Sequence, residues 1–312
     1  MIRLSDGVRL VEVERGGVVE SVHTGHVVVL DADGGTRLSL GDPRQPVFAR
    51  SSLKPLQAAG MLAAGLELEP AELALATASH SGSPLHLRLI EQLLAAGGLS
   101  EQDLECPPAL PIGIEEQREY LRSGQPERRL AMNCSGKHAA MLLTCLANGW
   151  VASGYLAREH PLQRALAGSV AELAGEPVAA VAVDGCGAPL FGLSLGGVAR
   201  AYQRLATGAD QRIADAMRSH PELVGGQGRA ATVLMQRVGG LIAKDGAEGC
   251  FAAALPDGGA IALKIDDGAA RAADIAVARA LTYLGVDVGE LATTPVLGGG
   301  EPVGLIRPAD GW

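Results

Sequence analysis

The chain has 312 residues, of which 47% are hydrophobic and 20% charged, which is the profile of a folded protein and excludes disorder as its main state. Its 26 basic and 35 acidic residues give a net charge of −9, which argues against nucleic-acid or anionic-membrane partners. No apolar stretch approaches the roughly 20 residues that cross a bilayer, and the first residues lack a signal-peptide core. We therefore expect a cytoplasmic protein.

Turn signals separate short apolar runs through the first 50 residues, a pattern typical of an antiparallel meander. The predicted strands cover residues 8–13, 18–22, 26–30 and 36–40. Between the last two, Asp33-Gly34 supplies a dipeptide favoured in tight hairpin turns. The chain is therefore expected to open as an antiparallel sheet.

Apolar residues then recur every three or four positions, which predicts helices through the middle of the chain. The predicted helices cover about residues 53–64, 84–96, 136–147, 161–174, 210–219 and 269–284, and further strands cover 178–183, 239–243, 250–254 and 260–265. Strands thus flank a helical middle, which favours an α+β fold over regular βαβ winding. We expect one domain over residues 1–312, with an antiparallel sheet from both chain ends and a helical lobe at about 52–175.

Ser51 and Lys54 lie three residues apart where the strand pattern gives way to helix. In a first helical turn such residues share a face, so the amine of Lys54 can reach the Ser51 hydroxyl. Pro55 supports this placement because proline is tolerated in the opening turn. A serine activated by a lysine is a nucleophile, although an N-capping serine beside a solvated lysine gives the same pattern.

Four further segments place polar or reactive side chains at the ends of predicted elements or inside a strand. They are Ser79-His80-Ser81, residues 133–138, residues 184–189 and Lys264. Helix caps, buried cysteines and a strand lysine facing solvent are structural explanations of these patterns. Cys134 and Cys186, each beside glycine and polar residues, also fit a metal site or a reactive thiol. The five cysteines are odd in number and widely spaced, which predicts thiols rather than disulfides.

Taken in order, these motifs resemble those of the rhizobial-type L-asparaginases, the class 3, thermolabile enzymes of the asparaginase II family. The resembling segments are residues 50–57, 78–80, 133–138, 184–189 and 264–268. The resemblance implies the α+β fold of serine β-lactamases and penicillin-binding proteins. In that fold a Ser-x-x-Lys motif, a serine-containing triplet and a strand lysine meet in one cleft.

The same resemblance implies the roles of individual residues. Two catalytic serine–lysine pairs are expected, Ser51 with Lys54 and Ser79 with Lys264. The expected zinc ligands are Cys134, Lys137 and Cys186. The expected substrate-binding residues are Arg50, His80, Asn133, His138 and Asp184.

The implied reaction is hydrolysis of the side-chain amide of L-asparagine to L-aspartate and ammonia, and the implied assembly is a homodimer. Three alternatives stay open: a β-lactamase-like or peptidase-like serine hydrolase, an amidase with Cys134 as nucleophile, and a non-catalytic zinc-binding protein. Glycine supplies 42 residues, some of them inside the motifs. Because glycine removes bulk around a small pocket, we expect valine at Gly136 or Gly187 to lower activity more than stability.

Overall fold

The computed structural model describes residues 6–312, which form two antiparallel sheets and a set of helices. The strands are β1 (Val8–Arg15), β2 (Val18–Leu30), β3 (Thr36–Leu40), β4 (Pro46–Phe48), β5 (Ala180–Val183), β6 (Pro189–Ser194), β7 (Ile242–Gly246), β8 (Cys250–Ala254), β9 (Ala260–Ile265), β10 (Thr294–Gly298) and β11 (Glu301–Pro308). The helices are α1 (Lys54–Ala63), α2 (Pro70–Ala76), α3 (Pro84–Ala96), α4 (Ile114–Arg122), α5 (Ser135–Ala147), α6 (Pro161–Ala174), α7 (Leu195–Thr207), α8 (Arg212–Ser219), α9 (Pro221–Val224), α10 (Ala230–Arg237) and α11 (Ala270–Thr282).

The larger sheet joins the two ends of the chain. Its strand order is β10-β11-β1-β2-β9-β8-β7, with β3 paired to β2, while β4, β6 and β5 form the smaller sheet. In the larger sheet β11 pairs with β1, and Val11 lies opposite Pro308. The prediction of an α+β fold with an antiparallel sheet from both chain ends is confirmed.

Helices cover the larger sheet and fill the middle of the chain. The first six, α1 to α6, are the helices between Lys54 and Ala174, where the sequence predicts a helical segment. Helices α7 and α11 pack against β8 and β9, and the apolar side chains form a continuous core. All five cysteines are buried and free of disulfide bonds, as predicted. In the described part of the chain, every helix is too short or too polar to cross a membrane.

Strand β2 is one strand of 13 residues where the sequence pattern predicts two. Gly25 lies between the predicted strands, and a Cβ there would be 2.3 Å from the carbonyl oxygen of Lys264. This glycine therefore permits β9 to approach closely instead of making a turn. The hairpin predicted at Asp33-Gly34 is confirmed, because β2 and β3 pair around it and Gly34 has a φ of 84°.

The sequence pattern predicts neither strand β6 nor helix α7. It predicts a Gly/Pro loop up to Pro189 and no helix or strand directly after it. Pro189 begins β6 and Gly192 lies inside it, while Gly196 and Gly197 lie in the first turn of α7. These residues have low strand or helix propensity. However, β6 is buried along its whole length between β4 and β5, and such tertiary contacts override local propensity.

Candidate active site

A buried lysine, Lys54, lies at the centre of the candidate site. The 3₁₀ helix Arg50–Leu53 leads into α1, and its three residues per turn bring the side chains of Ser51 and Lys54 to the same side. Lys54 is 1% exposed. Its Nζ donates hydrogen bonds to the Ser79 Oγ (3.0 Å) and to the Ala78 carbonyl (2.5 Å). The structure therefore joins Lys54 to Ser79. The family resemblance, in contrast, pairs Lys54 with Ser51 and Ser79 with Lys264.

Ser79 and His80 follow α2 and are held by their surroundings. The N–H of His80 donates to the carbonyl of Asn133 (3.1 Å), and the buried His80 ring has its Nε2 2.9 Å from the Ser135 Oγ. Burial, and to a smaller degree nearby charges that include Lys54, holds the pKa of His80 well below its usual value. His80 is therefore a neutral side chain beside Lys54, and Asn133 is tied to the same loop.

Two strand lysines, Lys244 in β7 and Lys264 in β9, lie on the same face of the larger sheet. The registers of β7 with β8 and of β8 with β9 place both side chains on one side, because paired residues face the same way. The Nζ of Lys264 donates to the carbonyl of Ile265. Within residues 6–312, the hydrogen bond to Ser79 thus comes from Lys54, and the catalytic role of Lys264 stays a prediction.

Lys244 is 0% exposed and belongs to a buried charge network. Its Nζ donates to the Asp245 carbonyl (2.7 Å) and Oδ1 (2.8 Å), and Arg229 donates to the Asp245 Oδ2. Burial lowers the pKa of Lys244 to about 8, the charges of Lys54 and Arg229 act in the same direction, and Asp245 opposes them. Lys244 is therefore an amine that titrates near neutral pH within electrostatic reach of Lys54.

Lys244 is not among the site residues that the sequence motifs predict. Two features of the sequence could nevertheless have pointed to it. The chain has four lysines among its 26 basic residues, and the other three, Lys54, Lys137 and Lys264, lie in the predicted motifs. Arginine stays protonated in proteins, whereas a buried lysine can become neutral. Lys244 also precedes a glycine by two residues on a strand, as does the lysine of the K-T-G motif in penicillin-binding enzymes.

Cys134 and Cys186 meet in the interior beside Lys137. Cys134 directly precedes α5, Lys137 lies in its first turn, and Cys186 lies in the turn between β5 and β6. The Lys137 Nζ donates to the Cys186 Sγ (3.3 Å). A hydrogen bond from the Cys134 thiol, with help from Lys137, holds the pKa of Cys186 well below its usual range, and the same bond together with burial raises the pKa of Cys134.

Because Cys134 keeps its proton in this arrangement, it is a poor nucleophile. Cys186, in contrast, is a thiolate paired with an ammonium group. Although burial acts to lower it, the two sulfurs raise the pKa of Lys137 overall. The contacts therefore count against an amidase that uses Cys134, and they describe a thiol–thiolate–ammonium cluster.

This cluster fits zinc if Lys137 serves as the third ligand. In the part of the chain that the structure describes, no three His, Cys, Asp or Glu side chains form a metal-sized group. The Tyr155 hydroxyl accepts the N–H of Glu105 (3.0 Å) and lies 2.7 Å from the His138 Nδ1. Burial lowers the pKa of His138, and a hydrogen bond with Cys186 opposes this effect. His138 thus lies beside the cluster, whose own donors to a metal are two sulfurs and the Lys137 amine.

Arg50 connects the Ser51 helix to the turn that carries Cys186. Its Nε donates to the Asp184 Oδ1 (2.8 Å), and Asp184 lies in the turn between β5 and β6. Arg50 has a φ of 54°, a left-handed conformation that costs about 1–3 kcal/mol for such a residue and is found most often at functional sites. Two of the expected substrate-binding residues are thus ion-paired next to Ser51.

The serine–lysine centre and the thiol cluster belong to one site. Lys54 carries a charge that acts on the pKa of both Cys134 and His138, in addition to its hydrogen bond with Ser79. Buried ionisable groups that shift one another's pKa values around a potential nucleophile are typical of an enzyme active site. The molecule is therefore an α+β protein whose candidate active site combines buried serine, lysine and cysteine side chains.

The chain belongs to the L-asparaginase II family, whose model matches residues 11–308. It is accordingly a hydrolase that acts on a carbon–nitrogen bond of an amide, and the family supports asparagine amidohydrolase activity in general terms. The predicted family is confirmed, and the non-catalytic alternative is excluded. No curated protein sequence matches the chain.

Proposed function

We propose that the protein hydrolyses the side-chain amide of L-asparagine through the serine–lysine centre around Lys54. The observation that carries this proposal is the buried 3.0 Å hydrogen bond from the Lys54 Nζ to the Ser79 Oγ. Lys54 lies one helical turn after Ser51, and the chain is a member of the asparaginase II family. Ser51 is half-buried, as a nucleophile that must meet a small substrate should be.

In this mechanism the Ser51 Oγ attacks the side-chain amide carbon, and its proton passes to the Lys54 amine. The carbon–nitrogen bond then breaks, and the nitrogen leaves as ammonia after a proton reaches it through Ser79. Water hydrolyses the acyl-enzyme, which releases L-aspartate and restores Ser51. The buried charge of Lys244 supports the first step, because two amines in electrostatic contact are disfavoured from being protonated together.

We assign substrate binding to the ion pair beside Ser51 and to three neighbouring side chains, of which two are buried. Arg50 keeps donors beyond the one that it shares with Asp184, and these suit the α-carboxylate, while Asp184 suits the α-ammonium. The other proposed substrate-binding residues are His80, Asn133 and His138. Their positions around Lys54 and Cys186 support this assignment.

We further propose that Cys134, Lys137 and Cys186 hold zinc. Bound there, the metal would supply a Lewis acid that orients a polar group of the substrate. The protein contributes two sulfurs and an amine, and both the Cys134 thiol and Lys137 must lose a proton before they bind.

We also propose the fold type, the domain organisation, the oligomeric state and the location of the protein. A serine β-lactamase-like fold is supported by the Ser-x-x-Lys turn, the serine after α2 and the buried lysine of β7. One domain over residues 1–312, a homodimer and a cytoplasmic location rest on the family resemblance and on composition.

The first experiment replaces the proposed nucleophile and its base. Ser51→Ala and Lys54→Met should each lower kcat for ammonia release from L-asparagine at least about a hundredfold, since each removes an acid–base or nucleophilic group. Ser123→Ala, at the exposed end of α4, is the matched control and should keep full activity. Wild-type ammonia release from Ser51→Ala would rule the mechanism out, and turnover of a β-lactam with none of L-asparagine would favour the related serine hydrolase.

A second experiment decides which strand lysine assists Lys54. Lys244→Met should lower kcat far more than Lys264→Met, because Lys244 lies in electrostatic contact with Lys54 whereas Lys264 bonds its neighbouring carbonyl. The reverse order would restore Lys264 as the second catalytic amine. Circular dichroism of both variants would show that each remains folded.

A further inference from the structure

Ser52 directly follows the proposed nucleophile Ser51 and is 1% exposed, and all of its polar groups are bonded within the protein. Its N–H donates to the Ala49 carbonyl (3.1 Å), and its Oγ donates to the carbonyl of Lys244 in β7 (3.1 Å). Its own carbonyl accepts a hydrogen bond from the Tyr202 hydroxyl of α7 (2.7 Å). Ser52 thus connects the 3₁₀ helix that carries Ser51 to two elements that are distant in the chain.

The Tyr202 hydroxyl supplies a donor that the local helix geometry cannot supply. In a 3₁₀ helix a carbonyl accepts the N–H of the residue three positions later, and for Ser52 that residue is Pro55, which has no N–H. Tyr202 is 0% exposed, and burial raises its pKa well above the usual value, so its hydroxyl keeps the proton that it donates. Because an unpaired carbonyl is costly in a buried place, this hydrogen bond fastens the Ser51 helix to α7.

A glycine lets β7 approach the Ser51 helix closely. A Cβ at Gly246 would lie 2.4 Å from the Ala49 carbonyl oxygen and 2.9 Å from the Ser52 Oγ. The hydrogen bond from the Ser52 Oγ to the Lys244 carbonyl belongs to the same contact. Since the charge of Lys54 acts on the pKa of Lys244, this contact also fixes how the helix that carries Lys54 lies against the strand that carries Lys244.

We propose that Ser52 and Tyr202 are positioning residues for amide hydrolysis, which hold the Ser51 helix against β7 and α7 so that Ser51 keeps its reactive geometry. This inference rests on the proposed function, because it takes Ser51 as the nucleophile. Both hydroxyls are engaged with backbone carbonyls, so they act through the helix and not on the substrate. A displacement of about 1 Å can lower a rate on the order of a hundredfold, and the helix in question has only four residues.

Removing each hydroxyl tests the positioning role. Tyr202→Phe and Ser52→Ala should each lower kcat for ammonia release from L-asparagine at least about tenfold, because the nucleophile loses its alignment. The KM should stay within about twofold, since Arg50 keeps its separate bond to Asp184. Wild-type kcat in both hydroxyl variants, or a loss that appears in KM alone, would overturn the proposal.

Two control variants separate positioning from a general loss of stability. Tyr283→Phe removes the hydroxyl of a half-buried tyrosine at the end of α11. Thr144→Val removes a buried hydroxyl that donates to the Ala140 carbonyl (2.8 Å). Both controls should keep full kcat, and a tenfold loss in Thr144→Val would show that any lost buried hydroxyl has this effect and would contradict a specific role of Ser52 and Tyr202.

Hydrogen–deuterium exchange gives a readout that does not depend on turnover. The backbone amides of residues 50–57 should exchange at least about fivefold faster in Tyr202→Phe, the effect of one lost hydrogen bond on a local opening equilibrium. The amides of β10, at the opposite edge of the larger sheet from β7, should exchange as in the wild type. Unchanged exchange of residues 50–57 would overturn the positioning role. Full ammonia release by Ser51→Ala would instead overturn the proposed function, and it would leave the faster exchange in Tyr202→Phe in place.

Discussion

At the scale of single residues, the Asp245 carboxylate opposes the lowering of the Lys244 pKa. Burial and two positive neighbours lower the pKa of Lys244 to about 8, and the Asp245 carboxylate raises it against them. Arg229 and Lys244 in turn hold the pKa of Asp245 below its usual value despite burial. The charge of this carboxylate thus partly offsets the effect of burial on the pKa of Lys244.

Removing that charge should move the pH profile in a defined direction. In Asp245→Asn the pKa of Lys244 should fall below about 8, and because the charged form of Lys244 supports the first step, the alkaline limb of kcat should move to lower pH. The pH dependence of ammonia release measures this shift. Asp274, whose pKa burial and Asp245 raise to about 7, also titrates here, so the shift should be repeated in an Asp274→Asn background. A limb that stays in place would remove Lys244 from the proton path.

At the scale of elements, a glycine sets how closely α5 approaches α2. A Cβ at Gly136 would lie 2.6 Å from the carbonyl oxygen of Leu75, and a backbone atom cannot give way as a flexible side chain can. This steric conflict counts against the expectation that Gly136→Val lowers activity more than stability, because the substitution also disturbs the packing of α5 on α2. Gly187 is constrained as well, by a φ of 87° and by Leu156, which would lie 3.1 Å from a Cβ there.

A pair of alanine substitutions tests this packing. Gly136→Ala should lower the free energy of unfolding by about 1–3 kcal/mol, the usual cost of overpacking. Gly168→Ala, in the exposed middle of α6 where an added Cβ would meet open space, is the control and should raise stability by about 0.5–1 kcal/mol. Urea denaturation of both variants gives the comparison, and equal effects would contradict the steric argument.

Sequence pattern predicts those elements whose local propensity agrees with their burial. Helices α1, α3 and α6 and strands β8 and β9 lie within a residue or two of their predicted bounds, since each has clear periodicity. Strand β6 and helix α7 escape prediction because their glycines and proline are stabilised by neighbours that are distant in the chain. In the site, the motifs predict Ser51, Lys54 and Ser79 as a group, but only tertiary contacts show that Lys54 bonds Ser79 and that Lys244 lies near.

At the scale of the whole molecule, the thiol cluster connects parts of the fold that are far apart in sequence. Cys134 and Lys137 belong to the start of α5 in the helical part, and Cys186 belongs to a turn of the smaller sheet. Arg50 makes a second connection, from the 3₁₀ helix before α1 to Asp184 in the same turn. The candidate active site thus lies at a junction of helices and sheet, so a ligand bound there should stabilise the molecule as well as the site.

A metal that binds the folded chain but not the unfolded one raises stability by mass action, by about 2.7 kcal/mol at a hundredfold excess over its dissociation constant. Zinc should therefore raise the melting temperature of the chelator-treated protein, and less so at low pH, where the Cys134 thiol and Lys137 keep their protons. Cys186→Ser should abolish this increase. Cys145→Ser, at a buried free thiol farther along α5, should retain it, because that residue lies outside the cluster. If zinc stabilises both variants equally, it binds elsewhere, and the junction is held without metal by the Lys137–Cys186 contact and the Arg50–Asp184 ion pair.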